Sequence, residues 1–251
     1  MRVTRQNFDM NINKPIDLEI HLALSGGGFR AAFFHLGVLR RLYQLGLFNR
    51  IKTISSVSGG SFLNGLIGLH YDSINSLEKF DELLTEKLRT FSSRNIRKQI
   101  IKNFIIRQTI RFWPFISRWA NENDTQKYAN EFNNSLYNQK TLADLSSNCR
   151  FIINATNLQT GCRFRFEKND FGDYRTGYSY DTSFFLLGDA VAASGAFPGF
   201  FSPLRLTTEN YVFYHRDETK ADKNKNVCVP AFIQLSDGGV YDNLGVEPLE
   251  R

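Results

Sequence analysis

Leu22-Ala23-Leu24-Ser25-Gly26-Gly27-Gly28-Phe29-Arg30-Ala31 is the stretch on which the reading of this chain turns. An apolar run enters three consecutive glycines, and a helical pattern with Phe33, Phe34, Leu36, Leu39 and Leu45 leaves them. Strand, glycine turn and helix form one unit. Its glycines permit a sharp turn and leave backbone N–H groups unobstructed at a helix N-terminus. Such a turn holds an anion, either a phosphate or the oxyanion of an acyl-transfer intermediate.

A second unit follows at once. Residues 51–57 read as a strand that ends at Ser58-Gly59-Gly60-Ser61, and Phe62, Leu63, Leu66, Ile67 and Leu69 start another helix. Two strand–turn–helix units in succession predict a parallel sheet with crossover helices. Upstream, residues 1–16 read as an irregular arm and 18–24 as a buried strand. Downstream, helical periodicity runs over 76–91 and a polar helix over 124–137. Residues 149–157 and 162–167 form a hairpin pattern around Gln159-Thr160-Gly161. Residues 184–193 read as a helix, 216–226 as a charged surface loop, and 231–235 as a strand delivering Ser236-Asp237-Gly238-Gly239.

The composition, 42% hydrophobic and 22% charged, is that of a globular protein with a substantial core. No apolar run is long enough to cross a membrane, and no secretory leader is legible in 1–7. Cys149, Cys162 and Cys228 are odd in number and lack metal-ligand spacing, so reduced thiols and a cytosolic location are expected. No metal or cofactor is expected. Ending at Arg251 just after a turn leads to the expectation that a C-terminal part is missing.

Ser58 stands between a strand and a helix, with two glycines behind it. That is the setting of a nucleophile elbow, although Ser56 occupies the first glycine position of G-x-S-x-G. A plain helix N-cap is the competing reading. Asp237 closes a strand, where an aspartate commonly serves turn chemistry. A parallel sheet, however, gathers strand ends at one edge, where ligand sites form. None of the histidines (His21, His35, His70, His215) follows Asp237, which rules out a Ser…Asp…His order with this aspartate. A two-residue device remains, with Asp237 taking and returning the Ser58 proton.

Three blocks in order, Ser25-Gly26-Gly27-Gly28-Phe29-Arg30, Ser56-Val57-Ser58-Gly59-Gly60-Ser61 and Asp237-Gly238-Gly239, resemble the patatin-like phospholipases, a group that includes the cytosolic phospholipases. Ala193-Ser194-Gly195-Ala196-Phe197-Pro198 matches a fourth block of the family. The resemblance implies one catalytic α/β domain over 1–251, three-layered, with a largely parallel central sheet and helices on both faces. It implies a Ser58–Asp237 dyad and an oxyanion hole around Gly26, Gly27 and Gly28. Arg30 and Gly59 are then expected at the substrate, Arg30 by analogy with an arginine that handles phosphate or oxyanion. The implied activity is hydrolysis of phospholipid or lysophospholipid esters. Ala31 departs from the glycine that patatins often carry there.

Residues 71–140 match no named block and are expected to form a helical, basic insertion or lid. Its centre carries the chain's excess positive charge: Arg94, Arg97, Lys98, Lys102, Arg107, Arg111 and Arg118, interleaved with Phe104, Phe112, Trp113, Phe115 and Trp119. The net charge of +6 is therefore local. A cationic, Trp-bearing segment suits an anionic phospholipid membrane surface, giving a cytoplasmic protein peripherally attached to membrane. A helix pair buried on the domain or in an oligomer is the alternative. A nucleotide- or nucleic-acid-binding protein is the competing class. Against it, the glycine turn lacks the Gly-Lys-Ser/Thr ending of a P-loop and the later glycine of a dinucleotide fingerprint, so no nucleic acid is expected.

Overall fold

The computed structural model describes residues 19–93, 124–215 and 229–250. The expected arm, the basic aromatic segment from Arg94 to Trp119, the charged loop and Cys228 lie outside these residues. Strand β1 (Ile20–Leu24) leads through the glycine turn into α1 (Gly28–Gln44). Strand β2 (Ile51–Val57) leads through Ser58 into α2 (Gly59–His70). Both units form where the sequence places them. Beyond Gln44 the chain turns through Gly46, with Leu47 N–H donating to the Leu42 carbonyl at 2.9 Å.

The remaining elements are α3 (Leu77–Phe80), a π-helical turn (Asp81–Glu86), α4 (Lys87–Ser93) and α5 (Asp124–Ser135). Then come β3 (Arg150–Asn157), β4 (Cys162–Phe166), β5 (Phe171–Asp173), β6 (Gly177–Ser179) and α6 (Leu187–Ser194). Strands β7 (Leu204–Thr207), β8 (Phe213–Tyr214) and β9 (Phe232–Asp237), followed by α7 (Gly239–Asp242), complete the described chain. The periodicity over 76–91 is thus divided by the π-helical turn. There Arg40 of α1 holds Asp81 through two hydrogen bonds of 2.9 and 2.8 Å. The helix expected from residue 184 starts at Leu187, after a 3-10 turn.

Among the described residues the strands form one mixed sheet in the order β1-β2-β3-β4-β5-β6-β8, with β9 also on β3 and β7 on β9. Its parallel core is β1–β2–β3, and antiparallel pairs extend it. Helices flank both faces. On β2, Ser56 faces α2, whose Asn64 amide donates to it at 2.8 Å. Ser55 and Val57 face the other way, onto the segment after Asp237, where they lie against Gly245. The result is a three-layer α/β architecture.

The core sits where α2 meets β2 and β3. Every residue of α2 from Gly59 to Gly68 is buried, so this helix is a central strut rather than a surface amphipath. Phe62 packs on Phe29 of α1 and Phe132 of α5, with ring centroids 5.2 and 5.0 Å away, and Phe132 stacks on Phe91 of α4. Phe80, Leu84, Leu88 and Phe132 are fully buried. The described flanks of the expected 71–140 insertion therefore belong to the core. They have sunk their apolar stripes into it. No helix among the described residues is long and apolar enough to cross a membrane.

Candidate active site

Two strands bring the site together by pointing at each other along one edge of β3. Val57, the last residue of β2, pairs with Asn154, and Asp237, the last of β9, pairs with Ala155, the next position. Strand β4 occupies the opposite edge of β3. Asp237 therefore does not arrive as another parallel strand end, as the sheet-edge argument expected. It comes from an antiparallel strand that meets β2 end to end, and Ser58 lies at the junction.

Ser58 has φ +51° and ψ −120°, a conformation that L-residues rarely adopt and that costs roughly 1–3 kcal/mol. Its side chain makes no capping bond to α2, so the N-cap reading fails. Instead its hydroxyl acts as a hydrogen-bonding neighbour of the Asp237 carboxylate and favours the ionised form. Asp237 is 2% exposed. Burial, the dominant influence, pushes its pKa up; the Ser58 hydroxyl and the Gly239 N–H pull against it. Oδ1 accepts the Gly239 N–H at 2.7 Å. Oδ2 is buried without a partner of good hydrogen-bond geometry among the described residues, so the Ser58 hydroxyl is a neighbour of the carboxylate without closing a full bond to it.

The glycine turn lies directly against the serine turn. A Cβ on Gly59 would fall 2.1 Å from the Gly28 carbonyl oxygen, so only glycine lets the two turns touch. Gly59 thus earns its place by close packing. The expected three-glycine donor set is corrected at Gly26: its N–H donates to the Asn243 carbonyl at 3.0 Å and closes the turn. Gly27 and Gly28, at φ +141° and +63°, keep N–H groups without partners among the described residues. These begin α1, and neither α1 nor α2 has an acidic residue in its first turn to compete for an anion. Arg30 is exposed one helical step on. With Phe29, Phe33 and Ser92 it lines a cavity of about 420 Å³ whose described lining does not include Ser58 or Asp237.

Ser56, the departure from the glycine pattern, is fully buried and bonded: its hydroxyl meets Ser61 at 3.0 Å and the Ile152 carbonyl at 3.1 Å. His35 and His70 are engaged away from the Ser58 and Asp237 side chains. His35 reaches the Ser25 carbonyl at 3.2 Å, and burial lowers its pKa. His70 contacts Lys87 Nζ at 2.9 Å, and burial together with that cation lowers it to about 4. Both are neutral at pH 7.

Asn243 and Ser194 join the site without a spacing in the sequence that assigns either a role. The Asn243 side chain fills the space between the glycine turn and the acid turn, since a Cβ on Gly26 or Gly239 would lie 2.3 or 2.7 Å from its Oδ1. An asparagine six residues past the acid, in a glycine-rich turn, was the available signal. The Ser194 hydroxyl accepts the Ser58 N–H at 2.9 Å. Its block was recognised, but no role for the serine could be read from spacing.

A family model described as patatin-like phospholipase matches residues 22–250. No curated protein matches the chain. Among solved structures, the crystal structure of VipD from Legionella pneumophila is similar, at 16% identity and a TM-score of 0.39. That alignment covers 90% of this chain and 46% of that chain, so this chain spans about half the length of that protein.

Proposed function

This chain belongs to the patatin-like phospholipase family, and from that premise we propose a serine hydrolase that cleaves carboxylic esters of phospholipids or lysophospholipids through Ser58 and Asp237. Ser58 Oγ attacks the ester carbonyl while Asp237 Oδ2 takes its proton. The negative charge on the carbonyl oxygen falls to the N–H groups of Gly27 and Gly28, each worth roughly 3 kcal/mol in the transition state. Asp237 returns the proton to the departing alcohol, leaving an acyl-enzyme on Ser58. Water, deprotonated by the same carboxylate, then releases the fatty acid and restores the serine.

The observation that carries this reading is a strained, non-capping serine set against a buried carboxylate, one oxygen of which has no partner of good hydrogen-bond geometry among the described residues. A lipid substrate is supported by apolar side chains left in solvent beside the acid turn. Phe197 and Phe200 are exposed with their rings 5.9 Å apart, next to Ala196, whose carbonyl accepts the Asp237 N–H. Val240 and Leu244 are likewise exposed within that turn. Arg30 serves the phosphate in this proposal. Docking on an anionic membrane surface through the segment from Arg94 to Trp119 belongs to the same proposal; vesicle binding should rise with anionic lipid and fall with salt.

Fatty-acid release from mixed phospholipid micelles tests the assignment. Wild-type protein should release acid, and folded Ser58→Ala should release none above background. Retention of most activity by the variant would falsify the role of Ser58.

A further inference from the structure

We propose that Ser194 is a positioning residue for this reaction, clamping the nucleophile turn and the acid turn to each other; the inference rests on the Ser58–Asp237 reading. Ser194 ends α6 and is fully buried. A serine hydroxyl has one proton to give and two lone pairs to fill. Here the proton goes to the Asn154 carbonyl at 2.7 Å, in the central strand β3. One lone pair takes the Ser58 N–H at 2.9 Å. The Ser61 hydroxyl, 2.8 Å away, must then be the donor to the other, because the only Ser194 proton is committed. All three capacities are used, and the hydroxyl cannot rotate without breaking a buried bond.

The other end of the clamp is backbone. The Ser194 carbonyl accepts the Gly238 N–H at 3.1 Å. Two residues later the Ala196 carbonyl accepts both the Asp237 N–H at 3.0 Å and the Ser236 hydroxyl at 3.1 Å. One turn of chain thus grips the amide of the nucleophile and the amides on both sides of the acid's side chain. Ser58 needs such a grip. Its φ of +51° relaxes toward ordinary backbone unless its amide is held, and relaxation swings Oγ away from Asp237. Among the described residues the Ser58 N–H has no other partner.

The test compares wild type, Ser194→Ala, Ser194→Thr and, as a control, Thr176→Ala. Thr176 is a buried hydroxyl bonded to Asp173 and Asn157, away from Ser58. Steady-state hydrolysis of a soluble p-nitrophenyl ester gives kcat and KM, and a thermal melt gives stability. Ser194→Ala should lose kcat by roughly 10- to 100-fold, with KM changed by less than about twofold. Ser194→Thr, which restores the hydroxyl, should recover part of that loss. Thr176→Ala should melt earlier yet keep its kcat. A folded Ser194→Ala with kcat within about threefold of wild type overturns the proposal, as does an equal kcat loss in Thr176→Ala. If the alanine variant does not fold, Ser194→Cys, which fills the space with a poorer acceptor, is read by the same criteria. Wild type that neither hydrolyses the ester nor reacts with a fluorophosphonate at Ser58 overturns the functional reading itself, and this inference with it.

Discussion

Asp173, which ends β5 and holds Asn157 at the end of β3, and Asp237, which ends β9 beside Ala155 of β3, are both almost out of water, 1% and 2% exposed. Their surroundings are opposite. Asp173 is saturated: Oδ1 accepts the N–H groups of Arg175 and Thr176 at 2.8 and 2.7 Å, and Oδ2 accepts from Asn157 and Thr176 at 2.7 and 2.9 Å. Among the described residues Asp237 has the Gly239 N–H on one oxygen, the neighbouring Ser58 hydroxyl, and nothing of good geometry on the other. A carboxylate that the fold uses as a fastener is bonded on every side. The one proposed to transfer a proton is buried and, among the described residues, under-bonded, at a cost in stability. Burial alone separates nothing; the count of donors does.

The sharpest way to break the comparison is to neutralise both. Asp237→Asn should lower ester hydrolysis by about 10²- to 10⁴-fold, the range for a general base. It should also melt later than wild type at neutral pH. Because burial raises the folded pKa of Asp237, its ionisation in the fold costs stability, a cost absent below the ordinary carboxylate pKa and growing as pH rises through the raised value. The gain from asparagine should therefore vanish in acid. Lower stability of Asp237→Asn at every pH would contradict this account.

The same shift predicts the next effect. Wild-type kcat/KM should fall about tenfold per pH unit on the acid side, along one ionisation with its midpoint above the ordinary 3.8. A profile flat down to pH 4 would place the base elsewhere. Asp173→Asn should do the reverse of the Asp237 change: about 1–3 kcal/mol less stable, because donors now face an amide NH₂, with kcat unchanged. An equal loss of kcat there would erase the distinction. Smallest is Ser58→Gly, expected to be inactive yet more stable by about 1 kcal/mol, as glycine adopts the turn without strain. A melt no higher than wild type would mean that the elbow stores no strain.

Local chemistry was readable from the chain and long-range geometry was not. The glycine run between β1 and α1, and the serine between β2 and α2, announce themselves because each strand and helix flanks its own turn in sequence. Asp237 could be picked out as a strand end before two glycines. Its approach by an antiparallel strand could not, because that depends on which edge of β3 is vacant beyond Val57. Ser56, Ser61 and Ser194 look like polar surface residues in one dimension, and only folding joins them into a buried line of hydroxyls beneath Ser58. Gly26 shows the limit from the other side: its motif position promised a donor, and a carbonyl some 217 residues away in sequence took the N–H.

Whether Ser58 is the activated nucleophile is tested most directly by trapping it. Wild-type protein and Asp237→Asn are incubated with a fluorophosphonate, digested, and mapped by mass spectrometry. The account predicts a single adduct on Ser58 in wild type and slow or absent labelling in Asp237→Asn. An adduct on a different serine, or equal labelling of Ser58 in both proteins, would contradict it.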